Sequence, residues 1–453
     1  MTECFSQTSM ILPQRNALSG LCFDFIIKFR LEFIMWYAID FGTSNSLLSF
    51  VEDGKKPRLL ELENNGPILR SLIFTPAKDQ YFFGANAIER YQEMEGEGRF
   101  FRSLKKFLPD PGFKGTEVFN RKMKIEELIA TFLREIKKRA DEQSGHDVTN
   151  VVLGRPALYS LNSEKDQLAE DRMRKAAELA GFKRIEFCPE PVAAGLSVDE
   201  NRERKILVCD FGGGTSDFTL LQTGHGKFSK ENVLGLSGVF VAGDAIDGRI
   251  MYDFVSRHFG KDVKYKAPMG KNILSFPKPL LRKLCNPAHI VFLKERENWE
   301  FLKELEQWSV NDEDQRSFNQ LFCLVEENLG YPVYASIEKT KIELGEVERA
   351  LFSFNHPGIK INMSITREAF NDSVEGELSS IFGSLDKIFE QSGLTPLDVD
   401  EVRITGGTGQ MPLVQKRLVE LFGEDKIEMS EVFQSVVQGL GKYAQEFCES
   451  EIG

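Results

Sequence analysis

Two short segments of this sequence combine a carboxylate, glycine and hydroxyl side chains. The first is Asp40-Phe41-Gly42-Thr43-Ser44-Asn45-Ser46, and the second is Asp210-Phe211-Gly212-Gly213-Gly214-Thr215-Ser216-Asp217. Both offer what a polyphosphate needs. Gly42 lets the backbone turn and approach a ligand closely. Thr43 and Ser44 present hydroxyl and backbone N–H groups to phosphate oxygens. Asp40 can hold hydrated Mg²⁺. Three consecutive glycines, Gly212, Gly213 and Gly214, are costly to order unless the backbone must come close to something. Asp210 is a second carboxylate for the water shell of the metal, and Thr215 can position an attacking water. Asp-x-Gly-Thr alone marks many hairpins; its occurrence twice in similar surroundings is the specific signal.

The surrounding residues are what must place these groups. WYAIDF at 36–41 and KILVCDF at 205–211 are apolar, β-prone runs, each followed by the turn and a return strand, LLSFVE and FTLLQT. Two such hairpins read as a duplication at domain scale. Between them, 124–143 sets Ile125, Leu128, Ile129, Phe132, Leu133 and Ile136 on one helical stripe. A strand is expected over 148–156, stopped by proline, and a helix over 164–182, ended by Gly181. Residues 184–197 read as a strand leading to a small-residue helix, and 402–423 as a strand, a glycine turn and a helix. Residues 336–345 and 434–447 read as helices, whereas 260–335, rich in Phe, Trp and Pro, show no clear period. Hairpins followed by alternating helices and strands predict an α/β protein.

The chain has 453 residues and a net charge of −12. That length calls for two lobes. The acidic balance lacks the positive field that nucleic acid or anionic membrane would need, so neither is expected as a partner. Arg102, Lys105 and Lys106 form a local basic run, which reads as a solvated face. Seven scattered cysteines without C-x-x-C imply reduced thiols and a cytoplasmic setting. Five scattered histidines, none paired at helical ligand spacing, argue against a transition-metal site. LCFDFIIKFRLEFIM at 21–35 is too short and too charged to span a membrane and is a poor signal peptide. Residues 1–34 therefore read as an extension that is disordered or untranslated, with Met35 as the start; an interfacial helix is the alternative.

Both turns resemble the two phosphate motifs of the actin-like ATPase superfamily, which includes actin, sugar kinases and the DnaK-type (seventy-kilodalton heat-shock) chaperones. The nearest resemblance is to the nucleotide-binding domain of the chaperone family, over roughly residues 35–446, and within it to the short YegD-like members that lack the peptide-binding domain. FRSLKKFL at 101–108 is similar to the family's I-K-R-L segment, PEPVAAG at 189–195 to its connecting motif, VAGDAIDGR at 241–249 to L-G-G-E-D-F-D-x-R, and TGGTGQMP at 405–412 to V-G-G-S-T-R-I-P. The resemblance implies a two-lobed actin-like ATPase fold, with duplicated ribonuclease-H-like halves and an inserted subdomain in each lobe. Lobe I would cover 35–205 with its insertion at about 60–120, and lobe II 206–446 with its insertion at about 244–368, with no C-terminal peptide-binding domain. ATP or ADP with Mg²⁺ would lie between the lobes. Lys105 would be the catalytic lysine; Glu190 would contact the metal's waters together with Asp40 and Asp210. Gly243 would lie near a phosphate, with Asp247 structural. Gly406 and Gly407 would pass the sugar and α-phosphate, and Glu338 and Lys341 would reach the ribose.

Departures fall at the base. The family packs adenine between two arginines; Ile342 and Gln410 stand in their places. Gly345 replaces a ribose- or base-contacting serine, and Phe433 an aspartate. Stacking on a guanidinium plane is lost, which implies weaker adenine binding or a shifted base preference. The expected function is that of a monomeric chaperone-like ATPase, hydrolysing slowly, with protein clients or co-chaperones as partners. The alternatives are a non-hydrolysing nucleotide sensor or scaffold and an actin-like filament protein. A sugar kinase is disfavoured by the lysine segment and by ITREAF at 365–370, similar to the chaperones' I-T-R-x-x-F.

Overall fold

The computed structural model describes residues 35–63, 66–197, 203–224, 232–311, 314–429 and 434–450; the expectations for residues 1–34 and for Phe433 lie outside them. Two sheets dominate, and they share one plan. In the first, Met35–Phe41 pairs antiparallel with Asn45–Glu52 and parallel with Asn150–Arg155, which pairs parallel with Arg184–Pro189. In the second, Arg204–Phe211 pairs antiparallel with Ser216–Thr223 and parallel with Glu401–Thr405, which pairs parallel with Ile427–Met429. Val233–Val239 extends the second sheet beyond the hairpin, as the short Arg58–Leu59 extends the first. The hairpin registers match too: Phe41 faces Ser46 and Phe211 faces Ser216. The duplication read from two turns therefore extends to the order and direction of the strands.

The helices follow from their sequence periods. Ile125–Ser144 buries all six predicted stripe residues against the first sheet and ends at Gly145, in the left-handed region at φ 75°. Ser163–Ala180 starts on Asn162, whose side chain accepts the Lys165 N–H, and stops at Gly181. Two shorter helices have a different task. Glu190–Leu196 and Gln434–Ser450 lie between the two sheets, where Val436, Leu440 and Ala444 join Trp36, Ala38 and Val152 of the first sheet and Ile206, Val208 and Leu221 of the second in one core. They cross so closely that a Cβ on Gly439 would lie 1.6 Å from the Ala193 carbonyl oxygen. The last helix, placed by the sequence boundaries with the second lobe, thus also packs on the first lobe's hairpin.

The segment 260–335, without a visible period, contains short helices at Lys278–Leu284, Arg296–Gln307 and Gln315–Glu326, joined by turns and by a two-residue hairpin. Their apolar residues, including Leu280, Leu302 and Phe318, belong to the large core of the second lobe. Residues 336–345 form the end of a longer helix, Gly330–Glu346.

Candidate functional site

The two duplicated turns face each other. A Cβ built on Gly213 would lie 2.2 Å from Ser44 Oγ, and one on Gly214 would lie 2.9 Å from Thr43 Oγ1 and 2.8 Å from Lys106 Cε. The glycine run is therefore required where the first lobe's hydroxyls meet the second lobe's backbone. Gly42 folds its own turn so tightly that a Cβ would lie 2.2 Å from the Asn45 carbonyl oxygen. The second turn is also gripped from behind. Gly212 N donates to Thr215 O at 2.9 Å, and the Gly212 carbonyl accepts Gly243 N at 3.4 Å and Thr408 Oγ1 at 3.5 Å. Asp244 N donates to Gly213 O at 2.8 Å. Gly406, at φ +85°, passes so near Phe211 that a Cβ would lie 2.0 Å from its carbonyl oxygen.

Acidic groups converge beside these turns, around one lysine. Lys105 sits on the 3-10 turn Leu104–Phe107, which follows Ser103 in the left-handed region at φ 55°. Its Nζ donates to Glu190 Oε1 at 2.7 Å, and Glu190 opens the helix Glu190–Leu196. Burial alone would lower the Lys105 pKa, but Glu190, Tyr159 and Asp40 more than reverse this, and the ammonium is held charged. Asp40 is pushed up to about 8 by burial and by Glu190 and Asp210, with Lys105 opposing. Asp210 is pushed up to about 6 by burial and Glu190, while the hydroxyl of Thr405, 3.1 Å from Asp210 Oδ1, and Lys105 hold it down. Asp217 is pushed up to about 8, chiefly by burial, although it accepts a hydrogen bond from Thr215. These carboxylates outnumber the single lysine, which suits a set built to receive a cation.

The basic run is not a solvated face, and that expectation is corrected. Arg102 Nη2 lies 3.2 Å and Lys106 Nζ 2.8 Å from Asp244, a nearly buried carboxylate of the second lobe that also accepts the Ser103 hydroxyl at 3.0 Å. Burial would raise the pKa of Asp244, but Lys106 and Arg102 outweigh it and hold the carboxyl below the ordinary range. Adjacent lysines thus serve different partners: Lys105 stays with its own lobe and Lys106 crosses to the other.

The residues expected at the base are more open. Ile342 is 60% exposed, and Glu338, Gly407 and Gln410 are also exposed. Gly345 faces Pro412, with its nearest atom 3.5 Å from a built Cβ, so a Cβ there would make only ordinary contact. Lys341, expected at the ribose, donates to Asp247 Oδ1 at 2.7 Å. A groove of about 1490 Å³ lies elsewhere: it runs between the lobes from Arg102 past Tyr91, Lys294, Asn328 and Tyr331.

Four residues of the site were not assigned from sequence: Asp217, Asp244, Arg102 and Lys106. For Asp217 a signal existed, since it sits opposite Asp210 in the hairpin register. Asp244 has none, because its partners are more than a hundred residues away.

The Hsp70 protein family matches this chain over residues 110–279 and 332–439, which include Glu190, the second phosphate turn, Gly243, 338–345 and 406–410. The first turn and Lys105 lie outside the matched residues. The chaperone protein DnaK from each of two strains of Thermus thermophilus is 24% identical over 412 residues, covering 85% of this chain and 57% of the relative. The chain spans little more than half the length of these curated relatives. With more than half of its residues matched, and with two sheets of the same plan closing on paired glycine turns, the chain belongs to the Hsp70 family and has its two-lobed actin-like ATPase fold.

Proposed function

We propose that the chain binds Mg²⁺ with ATP or ADP between its lobes and hydrolyses ATP slowly, opening and closing the lobes as it does so. The observation that carries this reading is the Lys105–Glu190 pair, set among Asp40, Asp210 and Asp217 beside two facing glycine turns. The residues present fit the absent groups: the turns leave backbone N–H groups for phosphate, and the crowded carboxylates gain from a divalent charge. Mg²⁺, when bound, would offset phosphate charge, with Asp40, Glu190 and Asp210 holding its water shell. Lys105 stabilises charge on the transferred phosphoryl and, with Glu190 fixing its direction, orients the attacking water. Asp217 holds the Thr215 hydroxyl in place for the same task. Glu190 is committed to Lys105, and Asp217 is committed to the Thr215 hydroxyl; with no strong base free, turnover is slow.

The division into lobes at 35–205 and 206–446, with insertions at about 60–120 and 244–368, is part of this reading; the paired sheets support it, with the strand Arg204–Phe211 beginning just ahead of the boundary. No helix among the described residues is long and apolar enough to cross a membrane. We place the protein in the cytoplasm as a monomer, with client proteins or co-chaperones as partners. A second reading, a sensor that binds without hydrolysing, is favoured by Lys341's commitment to Asp247 and by the loss of both stacking arginines.

The deciding experiment is calorimetric titration with ATP, ADP and GTP in Mg²⁺, followed by phosphate release from the same sample. Adenine-nucleotide binding with slow release is expected. Binding without release selects the sensor, and failure to bind any of the three sinks both readings.

A further inference from the structure

The second lobe carries a side-chain cluster away from the phosphate turns. Cys323 lies on the helix Gln315–Glu326, Glu327 caps that helix, and His356 ends the strand Arg349–His356. Cys323 Sγ is 3.4 Å from Glu327 Oε1 and 3.9 Å from His356 Nδ1, and His356 Nε2 is 3.4 Å from Glu327 Oε2. One donor atom from each residue falls within a group no wider than 4.8 Å. A tetrahedral ion with sulfur at about 2.3 Å and nitrogen or oxygen at about 2.1 Å sets its donors about 3.5 Å apart. His356 Nδ1 also lies 3.0 Å from the Pro357 carbonyl, which can only accept, so Nε2 is the nitrogen left for an ion, and one donor from each residue, none more than 4.8 Å from another, would draw in by about 1 Å around it.

The donor set selects the class of ion. Thiolate, imidazole and carboxylate together suit zinc and its neighbours, whereas Mg²⁺ takes oxygen alone. The surroundings hold the sulfur in place. Cys323 Sγ donates to the Pro357 carbonyl at 3.2 Å. Gly358, at φ +88°, turns the chain there, and a Cβ on it would come within 3.1 Å of that sulfur. The cluster opens on the inter-lobe groove, which Glu327, His356 and Pro357 help to line. Next to it, Asn328 holds the first lobe: its Nδ2 donates to Gly96 O at 3.0 Å, and its carbonyl accepts the Tyr91 hydroxyl. The competing state is a purely hydrogen-bonded trio in which burial and Glu327 keep the thiol protonated, its pKa pushed up to about 12.

We propose that Cys323, Glu327 and His356 bind one zinc-class divalent cation, leaving a fourth position to water at the rim of the inter-lobe groove. Binding forms the metal–sulfur bond as the thiol proton leaves to solvent, while His356 donates a neutral ring nitrogen, so about one proton is released per ion. Sequence reading found no such site because His356 comes from a different element.

The test strips the full-length chain with EDTA and titrates it, without nucleotide, with Zn²⁺ and separately with Co²⁺. One equivalent should bind with release of about one proton, and excess Mg²⁺ should not displace it. Co²⁺ should give a sulfur-to-metal charge-transfer band in the near ultraviolet. Zn²⁺ should slow alkylation of Cys323, read by peptide mass spectrometry. Cys323→Ser should abolish the band, His356→Ala should weaken Zn²⁺ binding at least about tenfold, and Cys285→Ser should change neither. A band that survives Cys323→Ser, or Cys323 alkylation indifferent to Zn²⁺ in the unaltered chain, overturns the proposal and leaves the hydrogen-bonded trio. The alkylation measurement needs no variant to fold, and failure of nucleotide binding would not bear on it.

Discussion

Lys106 Nζ lies 2.8 Å from Asp244 across the gap between the lobes, and the carboxylate it meets is nearly inaccessible to solvent. Such a pair is informative when broken. Asp244→Ala leaves Lys106 and Arg102 without their anion and should cost about 3 kcal/mol. Lys106→Met should cost less, because Arg102 and Ser103 still hold Asp244. Urea unfolding of both variants checks the order; a larger loss for Lys106→Met would count against it. The folded pKa of Asp244 is depressed, so its stabilisation is present above the unfolded value of about 4 and is lost as pH falls through the folded value.

Lys105→Ala should retain nucleotide and lose hydrolysis, by about 100-fold. It also strips Glu190 of its partner beside Asp40 and Asp210, so both acids should titrate higher still. Single-turnover phosphate release alongside calorimetry separates the two effects. Unchanged turnover would remove Lys105 from the chemistry.

Asp40 and Asp217, each raised to about 8, and Asp210, raised to about 6, keep their protons to a higher pH than they would in an unfolded chain. Folded pKa values above the unfolded ones give stability that is complete below the unfolded value of about 4 and disappears as pH rises through the folded values. The metal-free protein should therefore lose melting temperature between pH 6 and pH 8, Mg²⁺ with ADP should restore it, and Asp40→Asn should flatten the trend. A metal-free melting temperature that rises over this range would contradict the crowding of these acids.

Ile342, expected at the base, is 60% exposed. Ile342→Arg should strengthen ADP binding by about 0.5–1 kcal/mol, roughly threefold. Competition against GDP shows whether the gain is that of base stacking: a variant that gains nothing places the base elsewhere.

Gly439→Ala should destabilise the whole protein by about 1–3 kcal/mol, since the added carbon would meet the Ala193 carbonyl. Gly383→Ala, where a built Cβ meets nothing within 4 Å, is the control and should be neutral or slightly stabilising. Thermal melts of the two variants make the comparison; equal loss in both would deny the close crossing.

What was legible in the sequence was local. The phosphate turns combine an apolar strand, an aspartate and glycines within a dozen residues, and the helix Ile125–Ser144 declares itself by its stripe. Residues 260–335 stayed unread because their helices are short, such as the seven residues of Lys278–Leu284, and alternate with turns before any period accumulates. The basic run was misread for a different reason. Exposure of Arg102 and Lys106 depends on Asp244, which reaches them only after the second lobe has folded against the first.

The helix Gln434–Ser450 also ties the fold to the order in which it is made. Its Val436, Leu440 and Ala444 cover Trp36, Ala38 and Val152, all of which leave the ribosome well before it. At about 5–20 residues per second, the roughly 280 to 410 residues between them take tens of seconds to synthesise. Throughout that interval one face of the first sheet lacks its native cover. A nascent chain of this protein is thus itself exposed to the kind of apolar surface that chaperones exist to shield, and its two lobes reach their final packing only after almost all of the described chain has emerged.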